Sequence, residues 1–331
     1  MPIALITPEA FYDIPGPYVD LLKKGGFEVR FPKNPQFSRG LHTEEESIEE
    51  LKGVSAIIAG GEFLTRTVIE GSPELQVIAR SGVGFDRVDI EAATEHKIPV
   101  TITPTANHRA VAEQAFALIF AVAKNVVTND ANVRSGAWNT GLTEPIRGKT
   151  LGILGLGRIG RSTAQLGKSI GMNVIATETF PDEQFVKENQ IELVDFEMLV
   201  ATSDYLSLHC PLNDETHGMI NADVFAKMKP GSALINSSRG GLVVEADLKL
   251  ALESGHLRAA GLDVFEEEPA KADNPLFGLK NVVFSPHLAG TDKLSMVDMG
   301  VESAENILAL FQGSWPDGAV VNDGLKDGWS W

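Results

Sequence analysis

A single cysteine, Cys210, stands in a chain of 331 residues. One thiol can close no intrachain disulfide and build no thiolate metal cluster, which fits a reducing compartment. Basic residues are scarce as well. Lys and Arg number 28 against 45 Asp and Glu, a formal charge of −17, and a surface of that sign repels phosphate backbones and anionic headgroups. No nucleic acid and no membrane surface is expected as a partner. Residues 1–13 hold no basic segment and only a short apolar stretch, so no secretory signal is read there and a cytoplasmic location is expected. Long apolar runs are missing too. The longest, residues 115–123, has nine residues, against about 20 for a membrane-spanning helix, and it reads as a buried core helix. No repeat of solenoid period and no low-complexity tract occurs.

What is present is an ordinary globular composition, 43% hydrophobic and 22% charged. At roughly 150 residues per domain the length predicts about two domains or one large α/β barrel. Short β-branched runs at 3–7, 27–31, 56–59, 75–79 and 100–103 alternate with helically spaced segments, the pattern of a parallel sheet covered on both faces. A second set of strands, at 150–154, 173–176, 205–208, 232–236, 259–264 and 282–285, predicts a second doubly wound parallel sheet. Helices are expected at 107–125 and 294–312. The last segment, roughly 40 residues, is too short to fold alone and must pack on something earlier. Residues 316–331 read as an irregular tail whose Trp329 and Trp331 dock on a surface.

Directly after the predicted strand 150–154 come Gly155, Leu156, Gly157, Arg158, Ile159 and Gly160, followed by a helical stretch, a second strand and then Glu178. This strand–GxGxxG–helix–strand–acid order is a dinucleotide-binding fingerprint. Glycines let the backbone approach a pyrophosphate, the helix N-terminus offers unpaired amides, and the carboxylate accepts from a ribose diol. Glu178 would repel the 2′-phosphate of NADP, and Thr179, Phe180 and Pro181 supply no Arg to neutralise it, so the cofactor expected is NAD. The bland alternative is a glycine-rich turn beside an unrelated surface glutamate.

Ligands of open α/β sheets bind at the carboxyl ends of the strands. The second strand set delivers polar groups to that rim: His209, Cys210 and Pro211, then Ser237, Ser238 and Arg239, then Asp263 and Glu268, then His287. An always-charged, fork-shaped Arg239 suits a carboxylate and its neighbouring carbonyl. His287 suits proton transfer, with Glu268 to stabilise the imidazolium and set its tautomer. Singly, each reads as a surface charge, a core histidine or a solvated turn; together they point to hydride transfer at a 2-hydroxy acid.

The segments 155–160, 235–242 (INSSRGGL), 260–269 (AGLDVFEEEP) and 285–290 (SPHLAG) resemble the motifs of the D-isomer-specific 2-hydroxyacid dehydrogenases, especially the phosphoglycerate dehydrogenase-like branch. Residues 77–89 (VIARSGVGFDRVD) and 103–113 (TPTANHRAVAE) add the family's substrate loop and interdomain helix, and the likeness covers nearly the whole chain. The resemblance implies two doubly wound α/β domains: a discontinuous substrate domain, 1–103 with 289–331, and an NAD-binding Rossmann domain, 104–288. It implies Arg239, Glu268 and His287 as catalytic residues and Asp263 as the acid that contacts the nicotinamide carboxamide. It also implies that the Val83 and Gly84 backbone binds the substrate carboxylate, that Asn107, Cys210, Pro211, Ser238 and Gly290 border cofactor or substrate, and that the chain is a homodimer. Cys210 is expected as a small apolar wall rather than a nucleophile.

Two departures bear on the substrate, a small 2-hydroxy or 2-keto acid. Pro104, Thr105 and Ala106 replace the Pro-Gly found before the helix Asn in many relatives. Ala59, Gly60 and Gly61 offer no Arg where one type of phosphoglycerate dehydrogenase binds a second anion, and Arg66, Arg80, Arg109 and His108 are the substitutes to weigh. No serine-regulatory domain follows residue 331, so feedback through one is not expected. The candidate reactions are 3-phosphoglycerate oxidation and hydroxypyruvate or glyoxylate reduction; an alternative of another class is an NAD-sensing, corepressor-like binding protein.

Overall fold

In a computed structural model, which describes residues 1–13, 16–138 and 140–331, the chain divides into two compact units. One is Met1–Asn107 with Gly290–Trp331, the other His108–Ala289. Against the expected boundaries at 103 and 289, the first unit runs on to Asn107 and resumes at Gly290. At this junction Thr103 donates its amide to the Gly82 carbonyl at 3.0 Å, and Gly290 lies against the Asn107 side chain, where a Cβ would sit 2.8 Å from Nδ2.

The first unit is built on a parallel sheet of β1 (Ile3–Ile6), β2 (Glu28–Arg30), β3 (Ala56–Ala59), β4 (Val77–Arg80) and β5 (Val100–Thr101), in the order β2-β1-β3-β4-β5. Successive side chains of a strand point to opposite faces. Leu5, Ile57, Ala59 and Ile78 accordingly fill one core and Ala4, Ile6, Ala56, Ile58, Val77 and Ala79 the other. Burial on both sides is why these strands read as unbroken apolar runs.

The helix Lys293–Phe311 covers the second face with Met296, Met299, Ala304, Ile307 and Leu310. Gly300 of that helix takes the Tyr18 ring at a distance no side chain would allow. This is how the C-terminal segment finds its core. The tail is more ordered than expected. Val320 bridges to Thr101, and Asn322 accepts from the Val100 amide and donates to the Ile98 carbonyl, each at 2.9 Å. Trp331 stacks edge-on to Phe27 and Phe311, and Trp329 donates to the Lys97 carbonyl.

The second unit holds β6 (Thr150–Leu154), β7 (Asn173–Thr177), β8 (Glu192–Leu193), β9 (Tyr205–Leu208), β10 (Ala233–Asn236), β11 (Ala259–Leu262) and β12 (Val282–Phe284), all parallel, in the order β12-β11-β10-β9-β6-β7-β8. Chain order reverses between β6 and β9, the switch point at which such sheets take ligands. The helix His108–Lys124 buries Ala115, Phe116, Leu118, Ile119, Val122 and Ala123, the core role expected of this apolar run. Gly261 of β11 lets it approach, since a Cβ there would lie 2.8 Å from that of Leu118. Among the described residues no single helix is long and apolar enough to cross a membrane.

Most strands are one or two residues shorter than expected; at three of the ends the side chains of Thr7, Thr103 and Ser285 hydrogen-bond to Glu62, Gly82 and Asp263. Two of the elements that no expected segment covered bury no face. β8 is two exposed residues, and the helix Val126–Arg134 buries none of its side chains, so neither carries a hydrophobic period.

Candidate active site

The loop after β6 sits at the switch point. Gly155 adopts φ +93°, and a Cβ there would meet the His209 carbonyl and the Cys210 amide at 2.7–2.8 Å. The two loops flanking the switch therefore touch through backbone alone. At Gly160 a Cβ would fall 2.0 Å from the Gly155 carbonyl oxygen, whereas at Gly157 it would meet nothing within 4 Å. Gly157 is the N-cap of the helix Arg158–Ser169 and provides no side-chain cap, so it leaves the first amides of that helix, at the positive end of the dipole, without a side-chain acceptor from the N-cap.

Glu178 closes the other side. Its Oε2 accepts from the Leu156 amide at 2.7 Å and its Oε1 from the Phe180 amide at 3.0 Å, which orients the carboxylate over the glycine loop. Close backbone approach, an uncapped helix start and a fixed acid suit a dinucleotide pyrophosphate and ribose. Beside this loop His108 Nδ1 meets Ser162 Oγ at 2.8 Å. Burial, then the charges of Arg109, Arg158 and Arg161, lower the proton affinity of His108.

The next strand ends are tied together by short bonds. After β9, Ser207 Oγ meets His209 Nε2 at 2.8 Å, and burial pushes the His209 pKa down to about 4, so the ring is neutral at pH 7. Its Nδ1 is shut from solvent with no partner among the described residues. Burial pushes the Cys210 thiol up to about 11, which keeps it protonated and unreactive. Cys210 and Pro211 lead into a turn in which Ser238 Oγ donates to the Cys210 carbonyl at 2.7 Å. After β10, Asn236 accepts from the Ser238 amide and donates to the Arg239 carbonyl, fixing the backbone on both sides of the Arg239 side chain. Gly240 then packs so tightly on the Phe265 carbonyl that only glycine fits.

Asp263, fully buried after β11, is the hub of the last two loops. Its carbonyl accepts from the His287 amide at 2.7 Å, and its carboxylate accepts from the Leu288 and Ala289 amides at 3.0 and 2.8 Å and from the Ser285 hydroxyl. Charge-assisted bonds of this kind offset the burial of a carboxylate, and they force a tight turn. At its apex His287 takes φ +54°, a left-handed conformation that costs a non-glycine residue about 1–2 kcal/mol. The turn sets His287 Nδ1 2.7 Å from Glu268 Oε2. Glu268 Oε1 in turn accepts from the Phe265 amide at 3.1 Å. Glu245 and Glu266 brace the same loop, each carboxylate accepting the other residue's amide at 2.8–2.9 Å. Sequence reasoning did not single out Asp263 as an anchor, His209 as a buried neutral ring or the Glu245–Glu266 brace; the Asp263 role shows only once the chain turns back on itself.

In the first unit Gly82 takes φ +135°, and its amide donates to Thr103 Oγ1 at 2.8 Å. The next two amides, of Val83 and Gly84, have no partner among the described residues. Asn107, 7% exposed, lies on Gly290 with a buried Oδ1 that has no partner among the described residues. Arg66 stands among Glu70, Asp89, Glu91 and Glu95 at 2.5–3.9 Å. Arg80 donates to the Gly84 and Gly60 carbonyls.

Residues 116–289 match the family model described as the D-isomer specific 2-hydroxyacid dehydrogenase, NAD binding domain. The chain is 38% identical over 309 residues to a glyoxylate reductase of Thermococcus litoralis, covering 90% of this chain and 92% of the relative. It is 37% identical over 298 residues to a D-3-phosphoglycerate dehydrogenase of Archaeoglobus fulgidus, covering 89% of this chain but only 55% of that relative; the chain thus spans about half the length of such dehydrogenases. A crystal structure of a protein from Thermus thermophilus superposes with a TM-score of 0.85 at 34% identity, covering 96% of this chain and 99% of the other. With a catalytic-type His–Glu pair on the same sheet as a dinucleotide loop, and with these relatives, the chain belongs to the D-isomer specific 2-hydroxyacid dehydrogenases and binds NAD through its His108–Ala289 unit.

Proposed function

We propose that the protein interconverts a small D-2-hydroxy acid and its 2-keto acid, with Arg239, Glu268 and His287 as catalytic residues. The observation that carries this reading is the 2.7 Å contact between His287 Nδ1 and Glu268 Oε2. When bound, NAD(H) supplies or takes up the hydride. Glu268 accepts from Nδ1 and so leaves Nε2 to give a proton to the carbonyl oxygen during reduction and to recover it during oxidation. Arg239 grips the carboxylate and polarises the carbonyl. Gly155, Gly157, Arg158, Ile159 and Gly160 hold the pyrophosphate, Glu178 the ribose, and Cys210, Pro211, Ser238, Asp263 and Gly290 border the cofactor. The Val83 and Gly84 amides take the substrate carboxylate, with Asn107 beside them.

A second reading narrows the substrate to an unphosphorylated 2-keto acid such as glyoxylate or hydroxypyruvate rather than 3-phosphoglycerate. It rests on Arg66 and Arg80, whose guanidiniums are committed to four carboxylates and to backbone carbonyls, and on Gly60 and Gly61, which carry no side chain for a phosphate. The test is NADH consumption with glyoxylate, hydroxypyruvate, pyruvate and phosphohydroxypyruvate. We expect kcat/KM for glyoxylate or hydroxypyruvate to exceed that for phosphohydroxypyruvate by about tenfold or more, the scale of one unpaired charge. The reverse order overturns the second reading. NADH binding without turnover of any 2-keto acid overturns the enzyme and leaves an NAD-sensing binding protein.

A cytoplasmic homodimer completes the proposal. The helix Val126–Arg134 leaves Val126, Val127 and Val133 more than half exposed, and Trp138 and Leu142 follow at 83% and 100%. A nine-residue helix is marginal by itself in water, so a second copy of the chain is its natural cover. Sedimentation analysis at micromolar protein showing only monomer would refute it.

A further inference from the structure

Glu62 and Arg80, an acid and a base, are both buried in the interior of the first unit, at 1% and 9% exposure. Buried ions persist only where well-placed partners compensate for lost water, and here the partners are specific. Glu62 Oε1 accepts from Thr7 Oγ1 at 2.6 Å and from the Gly60 amide at 3.0 Å, and Oε2 accepts from the same amide at 2.9 Å. Desolvation raises the Glu62 pKa, while the Arg80 charge, the Thr7 hydroxyl and the Gly60 amide pull it back. Arg80, the last residue of β4, donates from Nε to the Gly84 carbonyl at 3.0 Å and from a terminal nitrogen to the Gly60 carbonyl. One guanidinium thus staples the loop after β3 to the loop after β4, both at the carboxyl ends of adjacent strands.

The loop after β4 has two anchors. At one end Gly82 is bonded to Thr103 through both its amide and its carbonyl. At the other end Arg80 holds the Gly84 carbonyl. Between them stand the Val83 and Gly84 amides, for which no partner exists among the described residues. A short segment pinned at both ends with two amides left over is a preorganised anion cradle, and its aim depends on the pins.

We propose that Arg80 is a positioning residue that aims the Val83 and Gly84 amides at the substrate carboxylate, and that Glu62 supports it by fixing Gly60, its second anchor. This rests on the reading that those two amides bind the carboxylate. Arg80 itself touches no substrate, so a fork that spans two carbonyls is its essential feature, and a point charge cannot replace it.

The test is Arg80→Lys, which keeps the charge near Glu62 and loses the fork. With glyoxylate as substrate we expect KM to rise about tenfold with kcat changed less than about threefold, the signature of lost binding common to ground and transition states. The NADH dissociation constant and the unfolding midpoint should stay near wild type. A KM within twofold of wild type overturns the proposal. So does a parallel loss of KM, kcat, NADH affinity and thermal stability, which would mark a merely structural arginine. Should R80K be unfolded at the assay temperature, Glu62→Gln carries the same comparison, with a smaller rise in KM expected and an unchanged KM again refuting. The underlying reading is checked separately by following the Val83 and Gly84 amide resonances of the wild-type protein during titration with oxamate. Resonances that do not move defeat that reading, and with it the proposal; resonances that move while R80K keeps its KM defeat the positioning role alone.

Discussion

Replacing Glu268 by glutamine separates charge from shape at the proton-transfer pair. A glutamine amide oxygen can still accept from His287 Nδ1, so ring orientation and tautomer survive while the carboxylate charge is lost. A hydrogen bond to a charged group contributes about 1.5–3 kcal/mol. The His287 and Glu268 side chains are 44% and 18% exposed, and solvent screening places the loss at the low end, about 1.5–2 kcal/mol. That corresponds to a fall of about 10- to 30-fold in kcat/KM. The loss belongs to the step in which imidazolium forms or disappears, so it should appear in kcat as well. NADH binding should not change, because Glu268 bonds to His287 and to the Phe265 amide, both on the loops that carry the proton-transfer pair. Steady-state kinetics with the best 2-keto acid, together with NADH fluorescence titration, provide the measurement. A kcat/KM within twofold of wild type would show that the 2.7 Å contact is incidental, and an equal loss of NADH affinity would show that Glu268 is scaffold.

Three further outcomes follow from the geometry. His287→Asn keeps a residue type tolerant of the left-handed turn and removes the ring, so turnover should fall by about 10²- to 10⁴-fold with NADH affinity unchanged; near-normal turnover would remove His287 from the mechanism. Gly160→Ala places a methyl 2.0 Å from the Gly155 carbonyl, so calorimetric NADH affinity should drop at least about tenfold, and wild-type affinity would refute the close approach. His209, held neutral by burial with its pKa lowered from 6.5 to about 4, takes up its proton more readily in the unfolded chain. Its contribution to stability is therefore complete above pH 6.5 and is lost as pH falls toward about 4, on the order of 1–3 kcal/mol in all. Urea midpoints across that window should show the loss in wild type and a shallower one in His209→Gln; identical slopes would refute it.

The parallel sheets were legible because both their faces are buried. β3, β4, β9, β10 and β11 bury every residue, and a strand without a wet face leaves a continuous apolar run in the sequence. The C-terminal helix was legible by its spacing, and its need for an earlier partner followed from its length. β8 and the helix Val126–Arg134 were not legible, for a common reason: neither buries a face, so no hydrophobic period records it. The ordered tail escaped notice because Asn322, which pins it, works through three hydrogen bonds of one polar side chain rather than through a pattern.

Residues of the site were legible where chemistry demands a type at a fixed offset, as in the glycines of the phosphate loop and Glu178 beyond it. The groups that hold them were not, because support comes from across the fold. Asp263 reads as one more acid at a strand end, yet its four acceptor bonds build the turn that presents His287. Arg80 reads as a spare cation for a second substrate anion, yet two of its donors go to the backbone carbonyls of Gly60 and Gly84. The net charge of −17 sharpens the point. NAD and the proposed 2-keto acid are both anions, and a chain with this charge repels anions at a distance. Anion binding must then come from dipoles and donors fixed at short range. In the proposed site such donors are the uncapped start of the helix at Arg158 and the Val83 and Gly84 amides, which have no partner among the described residues, and backbone amides carry no sequence signature except the glycines that let them be approached.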